Sequence, residues 1–319
     1  METVIQTEGL TKFYGGRKVV DRLELTVPAG AVYALLGDNG AGKSTTIRML
    51  MGLLPADGGK AEILGMDCWK AAHSLRLRVG YVPEKPKFYD WMTVEEIGRF
   101  TGGFYPAGYF ERYRSLLDRF GLPGGEKLKA LSKGGYAKVG LALALAHDPQ
   151  VLILDEPTSG LDLFTRREFL SSMVELAAEG KTILISSHGV AEVERVASHV
   201  AFLSEGRLLL HGTLDELRQR LLRVRVRHDG SIVDASGLGS VLHHEMESQE
   251  WEVVLLDPNR PALEAFRVRT GVLAYEDGFL RLEEMYTALL TPHRRKSAHN
   301  GERKPETAGV TAEEKGDRS

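Results

Sequence analysis

Apolar and polar positions along the chain switch repeatedly between two periods. From Ile5 to Leu36 the apolar residues come in short runs, Leu23 to Val27 and Ala31 to Leu36, punctuated by Gly15-Gly16 and by Pro28 to Gly30. Runs of this length bounded by turn residues predict a strand-rich opening. Thr45 to Leu54 has helical composition, and after the turn cluster Pro55 to Gly59 strand character returns from Lys60 to Val82. Beyond Lys85 β-type runs are sparse. Helix-period stretches such as Glu111 to Phe120 take over, with breaks at Gly102-Gly103 and Gly124-Gly125, which predicts a helical insert over about 85–147.

Val151 to Leu154 and Thr182 to Ser186 are compact aliphatic runs on either side of a helical Thr165 to Ala178, the strand, helix, strand order of a parallel sheet. After a helix at Leu214 to Leu221, Leu222 to Arg227 and Trp251 to Leu256 read as half-buried strands, with Pro261 to Arg269 a helix between further strands. The predicted class is α/β. Its expected division is a main domain at 1–220, a small α+β accessory unit at 221–292 and a disordered tail at 293–319, where apolar residues nearly vanish. A chain ending near His211 is expected to keep the main fold, the later strands forming a core of their own.

Composition narrows the class without naming the chemistry. With 319 residues, 43% hydrophobic and 27% charged, the chain is ordinary globular protein, and a formal net charge of -3 gives no global attraction to nucleic acid. The single cysteine, Cys68, excludes an intramolecular disulfide, and the first residues, METVIQTEGL, lack the basic start and apolar run of a secretory signal. Apolar stretches such as Val139 to Ala146 fall well short of the roughly 20 residues that span a bilayer. A cytoplasmic location is expected, with any membrane part supplied by another chain.

The segment Gly37, Asp38, Asn39, Gly40, Ala41, Gly42, Lys43, Ser44, Thr45 fits G-x-x-x-x-G-K-[ST], and it lies between an apolar run and a helical stretch, the context that pattern needs. Glycines at 37, 40 and 42 let successive N–H groups turn inward, and the helix that follows offers its positive end to phosphates. Lys43 is placed to reach the β- and γ-phosphates and Ser44 to ligate Mg²⁺. Downstream, the apolar run from Val151 delivers two carboxylates at its end. Asp155 fits a Mg²⁺ partner, and Glu156, one residue on, is placed to polarise an attacking water.

From Ile5 to Gly212 these residues resemble the nucleotide-binding subunits of ABC transporters, which implies a P-loop NTPase core with an N-terminal antiparallel β subdomain and a helical insert. Leu131-Ser-Lys-Gly-Gly135 resembles the family's L-S-G-G-Q signature loop, departing from it at Lys133 and Gly135 while keeping Ser132 and Gly134. Ser159 to Asp162 is similar to the D-loop, and His188 to the histidine that contacts the γ-phosphate and the attacking water. Tyr14 resembles the aromatic that stacks on adenine. Glu84 stands at the Q-loop position, where the family usually has glutamine, and its carboxylate can still ligate Mg²⁺. Phe88 to Met92 is an aromatic patch where the family receives its membrane partner; packing of the insert's own core is the equal alternative.

The resemblance implies ATP and Mg²⁺ as ligands and a catalytic pair, Glu156 and His188. It also implies head-to-tail dimers, homomeric or heteromeric, in which Ser132 and Gly134 complete the other subunit's ATP site, and a separate membrane-spanning permease. Nucleic acid is not an expected partner. The stretch Tyr275 to Tyr286 resembles the C-terminal extension of subunits serving ABC-2-type exporters, so export is the expected direction and the inner face of the cell membrane the expected site of action. The competing readings are a soluble ABC ATPase not coupled to a permease and a regulatory protein that binds ATP without useful turnover.

Overall fold

The structure, a computed structural model, describes residues 2–230 and 235–290; the tail expected to be disordered at 293–319 lies outside the described residues. Strands β1 (Thr3–Tyr14) and β2 (Arg17–Pro28) form a long antiparallel hairpin closed at Gly15-Gly16. The chain then enters β3 (Val32–Leu36), the phosphate loop and α1 (Lys43–Leu50), and returns through β4 (Gly58–Ile63) and β5 (Met66–Asp67) to complete a four-stranded sheet in the order β2-β1-β4-β5. The helix expected at Thr45 to Leu54 begins two residues earlier, because Gly42 caps it in the left-handed region and brings Lys43 and Ser44 into its first turn.

After α2 (Ala72–Arg76) and β6 (Val79–Val82) comes the insert, α3 (Val94–Gly102), α4 (Tyr109–Phe120) and α5 (Lys133–Leu145). Helix α3 starts at a capping box, the Thr93 hydroxyl accepting from the Glu96 N–H at 3.1 Å and the Glu96 carboxylate accepting from the Thr93 N–H at 2.7 Å. The buried Val94, Ile97, Tyr109, Tyr113 and Val139 give the insert a core of its own.

The chain continues through β7 (Val151–Asp155), α6 (Leu163–Ala178), β8 (Thr182–Ser187), α7 (Val190–Val193), β9 (His199–Ser204), β10 (Arg207–Thr213) and α8 (Leu214–Arg220). Strands β9, β3, β8, β7 and β6 are parallel neighbours, and β10 adds an antiparallel edge. Every residue of β3, β7 and β8 is buried, the mark of a sheet covered on both faces. Ala34, Leu36, Leu152, Leu154, Ile183 and Ile185 face one side, towards α5 and α6. Tyr33, Leu35, Val151, Ile153 and Leu184 face the other, towards α1 and the N-terminal sheet. Five short parallel strands thus end in one row, and their carboxyl ends carry the loops that matter below.

A third sheet, in the order β12-β13-β11-β14, is built from β11 (Leu221–His228), β12 (Ser240–Glu247), β13 (Glu250–Leu256) and β14 (Val272–Phe279). Helix α9 (Arg260–Arg267) covers one face of it, burying Leu263 and Phe266 against Val224, Trp251 and Val253. A last helix, α10 (282–290), leaves this unit. Its Leu282, Met285, Ala288 and Leu289 sit in one core with Val190, Val193, Phe202 and Leu217 of the main domain. The last described helix of the expected accessory unit at 221–292 thus packs in the core of the main domain rather than in that unit's own core. Short apolar repeats do not say which of two cores they will join.

Candidate functional site

The phosphate loop is shaped by two close approaches. A Cβ on Gly37 would stand 2.5 Å from the Leu203 carbonyl oxygen, and one on Gly42, where φ is +104°, would stand 2.7 Å from that of Val19. Only glycine fits either position. Inside the loop, Lys43 is 5% exposed at its side chain, and its Nζ donates to the Gly37 carbonyl at 2.7 Å and the Asp38 carbonyl at 3.3 Å. The same ammonium lies 3.0 Å from Glu156 Oε1.

Parallel pairing of β7 with β8 sets Asp155 opposite Ser186. The Asp155 carboxylate accepts from the Ser186 hydroxyl at 2.7 Å and from the Ser44 hydroxyl at 3.0 Å. Burial pushes its pKa up; the two serines work against that shift, and the charges of Glu156 and Glu84 add to it. Glu156 has a φ of +47°, a left-handed conformation that costs a non-glycine residue roughly 1–3 kcal/mol. Its N–H donates to Ser186 Oγ at 2.9 Å, which helps to hold the strained turn. His188 Nδ1 lies 2.7 Å from Glu156 Oε2, so Glu156 stands between a histidine and a lysine.

These groups converge on a cleft of about 390 Å³ lined by Asp38 to Thr45, Glu84, Glu156, Ser159 and His188. Glu84 reaches it from the rim, beside Lys85 at 3.5 Å. Tyr14 is outside the lining, an exposed ring at the end of β1 with the Lys12 ammonium 5.9 Å from its centroid. Ser132 and Gly134 also lie outside it. Ser132 caps α5 by accepting from the Gly135 N–H at 3.1 Å, and a Cβ on Gly134 would press to 2.5 Å from Thr165 Cγ2. Asp162 lies outside the cleft lining too and caps α6: one carboxylate oxygen accepts from the N–H groups of Phe164 and Thr165, both at 3.0 Å, and the other from the Thr165 hydroxyl at 2.6 Å.

The aromatic patch is divided between core and surface. Phe88 packs on Tyr136 and Met92 is buried, whereas Tyr89 and Trp91 are exposed and continue through Phe100 to Phe104 as a chain of ring contacts. Two residues were not singled out from the sequence. Ser186 serves both Asp155 and Glu156, and a hydroxyl inside the aliphatic run Thr182 to Ser187 was its only visible sign. Tyr286 on α10 donates its hydroxyl to Asp38 Oδ1 at 2.8 Å across 248 positions of sequence, a contact no local pattern encodes.

A glycine-rich loop between a buried parallel strand and a helix, with a carboxylate pair at the end of a nearby strand, is the active-site plan of a P-loop NTPase. The family model for "ABC transporter" matches residues 20–159, and a model for an AAA domain matches 127–194. The chain is 34% identical to the daunorubicin/doxorubicin resistance ATP-binding protein of Streptomyces peucetius, over 89% of this chain and 92% of that one. It is 39% identical to the bacitracin transport ATP-binding protein of Bacillus licheniformis, over 69% of this chain and 73% of that one. A solved structure described as an ATP binding subunit of an ABC transporter superposes with a TM-score of 0.62 at 34% identity, over 68% of this chain and 92% of that one. The chain belongs to the ATP-binding proteins of ABC transporters and is an ATPase. Among the described residues no helix is long and apolar enough to cross a membrane.

Proposed function

We propose that the cleft binds ATP with Mg²⁺ and that the chain is the subunit that powers export through a separate membrane-spanning partner. One observation carries this reading: Lys43, Ser44, Asp155, Glu156 and His188, scattered over the sequence, meet at one cleft within hydrogen-bonding or ion-pair distance of a neighbour in the set. The donors fit Mg²⁺. Ser44 and Asp155 offer two hard oxygens 3.0 Å apart, which suits an ion that takes its other ligands from phosphates and water. Glu84 approaches from the rim as a further oxygen. When bound, the ion neutralises charge on the β- and γ-phosphates.

In this reading the loop N–H groups and Lys43 hold the triphosphate, and Tyr14 stacks on the adenine. Lys43 exchanges Glu156 for the γ-phosphate, which frees Glu156 Oε1 to orient and deprotonate water, while His188 fixes the other carboxylate oxygen and faces the γ-phosphate. Ser132 and Gly134, outside their own chain's cleft, complete the site of a second nucleotide-binding subunit. The exposed ring chain from Tyr89 to Phe104 suits docking of the permease on the cytoplasmic side, and two relatives named for drug resistance and bacitracin transport favour export.

The test is direct ATP binding to Lys43→Ala. High-affinity binding is expected to disappear, and undiminished affinity would refute the assignment. In a Glu156→Gln background, size-exclusion chromatography with light scattering should find an ATP-dependent dimer that Ser132→Arg returns to monomer. Co-purification of a membrane protein with the native subunit tests the coupling.

A further inference from the structure

The D-loop and the loop that carries His188 enter the cleft from the ends of two neighbouring strands, β7 and β8. Ser159 of the first and His188 of the second both line it. Behind them stands one guanidinium. Arg166 lies in the first turn of α6, its backbone N–H donating to the Asp162 carbonyl at 3.0 Å. Its Nη2 donates to the Leu161 carbonyl at 2.9 Å, two residues past Ser159, and its Nη1 pairs with Glu192 of α7. Glu192 in turn folds back over the residue that follows His188: a Cβ on Gly189 would stand 3.2 Å from Glu192 Oε2. Neither Arg166 nor Glu192 lines the cleft, and both side chains are partly buried, which strengthens the attraction between their charges.

We infer that Arg166 is a positioning residue for this ATPase: one guanidinium holds the D-loop backbone and the helix after His188 in fixed relation, so that Ser159 and His188 meet the nucleotide together. The inference rests on the ATP reading of the cleft and extends it to residues outside the cleft. The planar fork of an arginine serves two acceptors at once in a set geometry, whereas an ammonium on a flexible stem does not fix the two relative to each other. His188 Nδ1 lies 2.7 Å from Glu156 Oε2, so a shift of α7 also moves the partner of the proposed base. Misplacing reacting groups by about 1 Å can cost around a hundredfold in rate, while binding, which rests on the phosphate loop, is spared.

The experiment measures kcat at saturating ATP, ATP affinity by calorimetry and melting temperature for wild type, Arg166→Met, Arg166→Lys, Glu192→Gln and the double variant Arg166→Met with Glu192→Gln. Glu156→Gln is assayed alongside. Methionine keeps the aliphatic stem and removes the fork. Arg166→Met is expected to lower kcat about tenfold to hundredfold with the ATP Kd within about twofold of wild type. Arg166→Lys should fall between the two. The double variant should be no slower than Arg166→Met, because both changes break one bridge. Plain structural support would instead lower the melting temperature and leave the kcat of the folded protein alone. An unchanged kcat in Arg166→Met, a loss shared equally by affinity, or losses that multiply in the double variant overturn the role of Arg166. Should Arg166→Met not fold, an unchanged kcat in both Arg166→Lys and Glu192→Gln overturns it. A Glu156→Gln protein that hydrolyses ATP at the wild-type rate overturns the catalytic reading of the cleft, whereas inactive Glu156→Gln beside fully active Arg166→Met overturns this inference alone.

Discussion

Replacing Glu156 by glutamine should have two opposite effects, on turnover and on affinity. Glu156 is 9% exposed at its side chain, 3.0 Å from Lys43 Nζ and 2.7 Å from His188 Nδ1. At that lysine distance the bare Coulomb attraction is about 5 kcal/mol for an effective dielectric of 20, and most of it is offset by the desolvation of both groups. ATP must displace Glu156 from Lys43 to use the ammonium, so the pair is a competitor of the γ-phosphate. Glutamine keeps the shape and the contact to His188 but leaves Lys43 a buried cation without its counter-charge, which the phosphate then supplies. A net change of about 1–2 kcal/mol corresponds to ATP binding roughly 5- to 30-fold tighter. Turnover should fall about 10²- to 10⁴-fold, the usual contribution of a positioned general base. Phosphate release under single-turnover conditions gives the rate, and calorimetric titration gives the affinity. Wild-type hydrolysis would refute the catalytic role, and affinity that is unchanged or weaker would refute the competition.

Ser186→Ala removes both the 2.7 Å bond to Asp155 and the 2.9 Å bond from the Glu156 N–H, so a stability loss of about 1–3 kcal/mol is expected by urea unfolding. The Ser186 bond holds the Asp155 pKa down against burial; without it the acid limb of the ATPase pH profile should move to higher pH, and an unmoved limb would contradict this. Ending the chain after Phe279 removes the buried Leu280, Leu282, Met285 and Leu289, roughly 6–12 kcal/mol of burial, so insoluble or non-cooperatively unfolding protein is expected, and a soluble, cooperatively folded truncation would refute the shared core. His147 stacks on Tyr105 and burial lowers its pKa to about 4. Its unfolded form takes up a proton near pH 6.5 while the folded form does not, so this group destabilises the fold as pH falls through 6.5 and levels off below about 4. His147→Phe should flatten the change in urea midpoint between pH 7 and pH 5; an equal slope in both proteins would count against it.

The sequence by itself determined the chemistry of this protein and most of its elements. Gly37 to Thr45, the carboxylates after Val151 to Leu154 and the buried strands around them are local patterns, each set by backbone sterics or by a short periodicity, and local causes survive in one dimension. Tertiary structure decided what depends on pairing and on packing between distant segments. The β7–β8 register put Ser186 against Asp155, and the loop glycines brought Lys43 into contact with Glu156. Asp162, placed by resemblance in the D-loop, also caps α6, which offers it three donors. The sharpest difference is α10. Its leucines are apolar enough for either core, and only the three-dimensional course of the chain places them under Phe202, with Tyr286 on the phosphate loop, because burial is non-directional while a hydrogen bond needs its partner at one point in space.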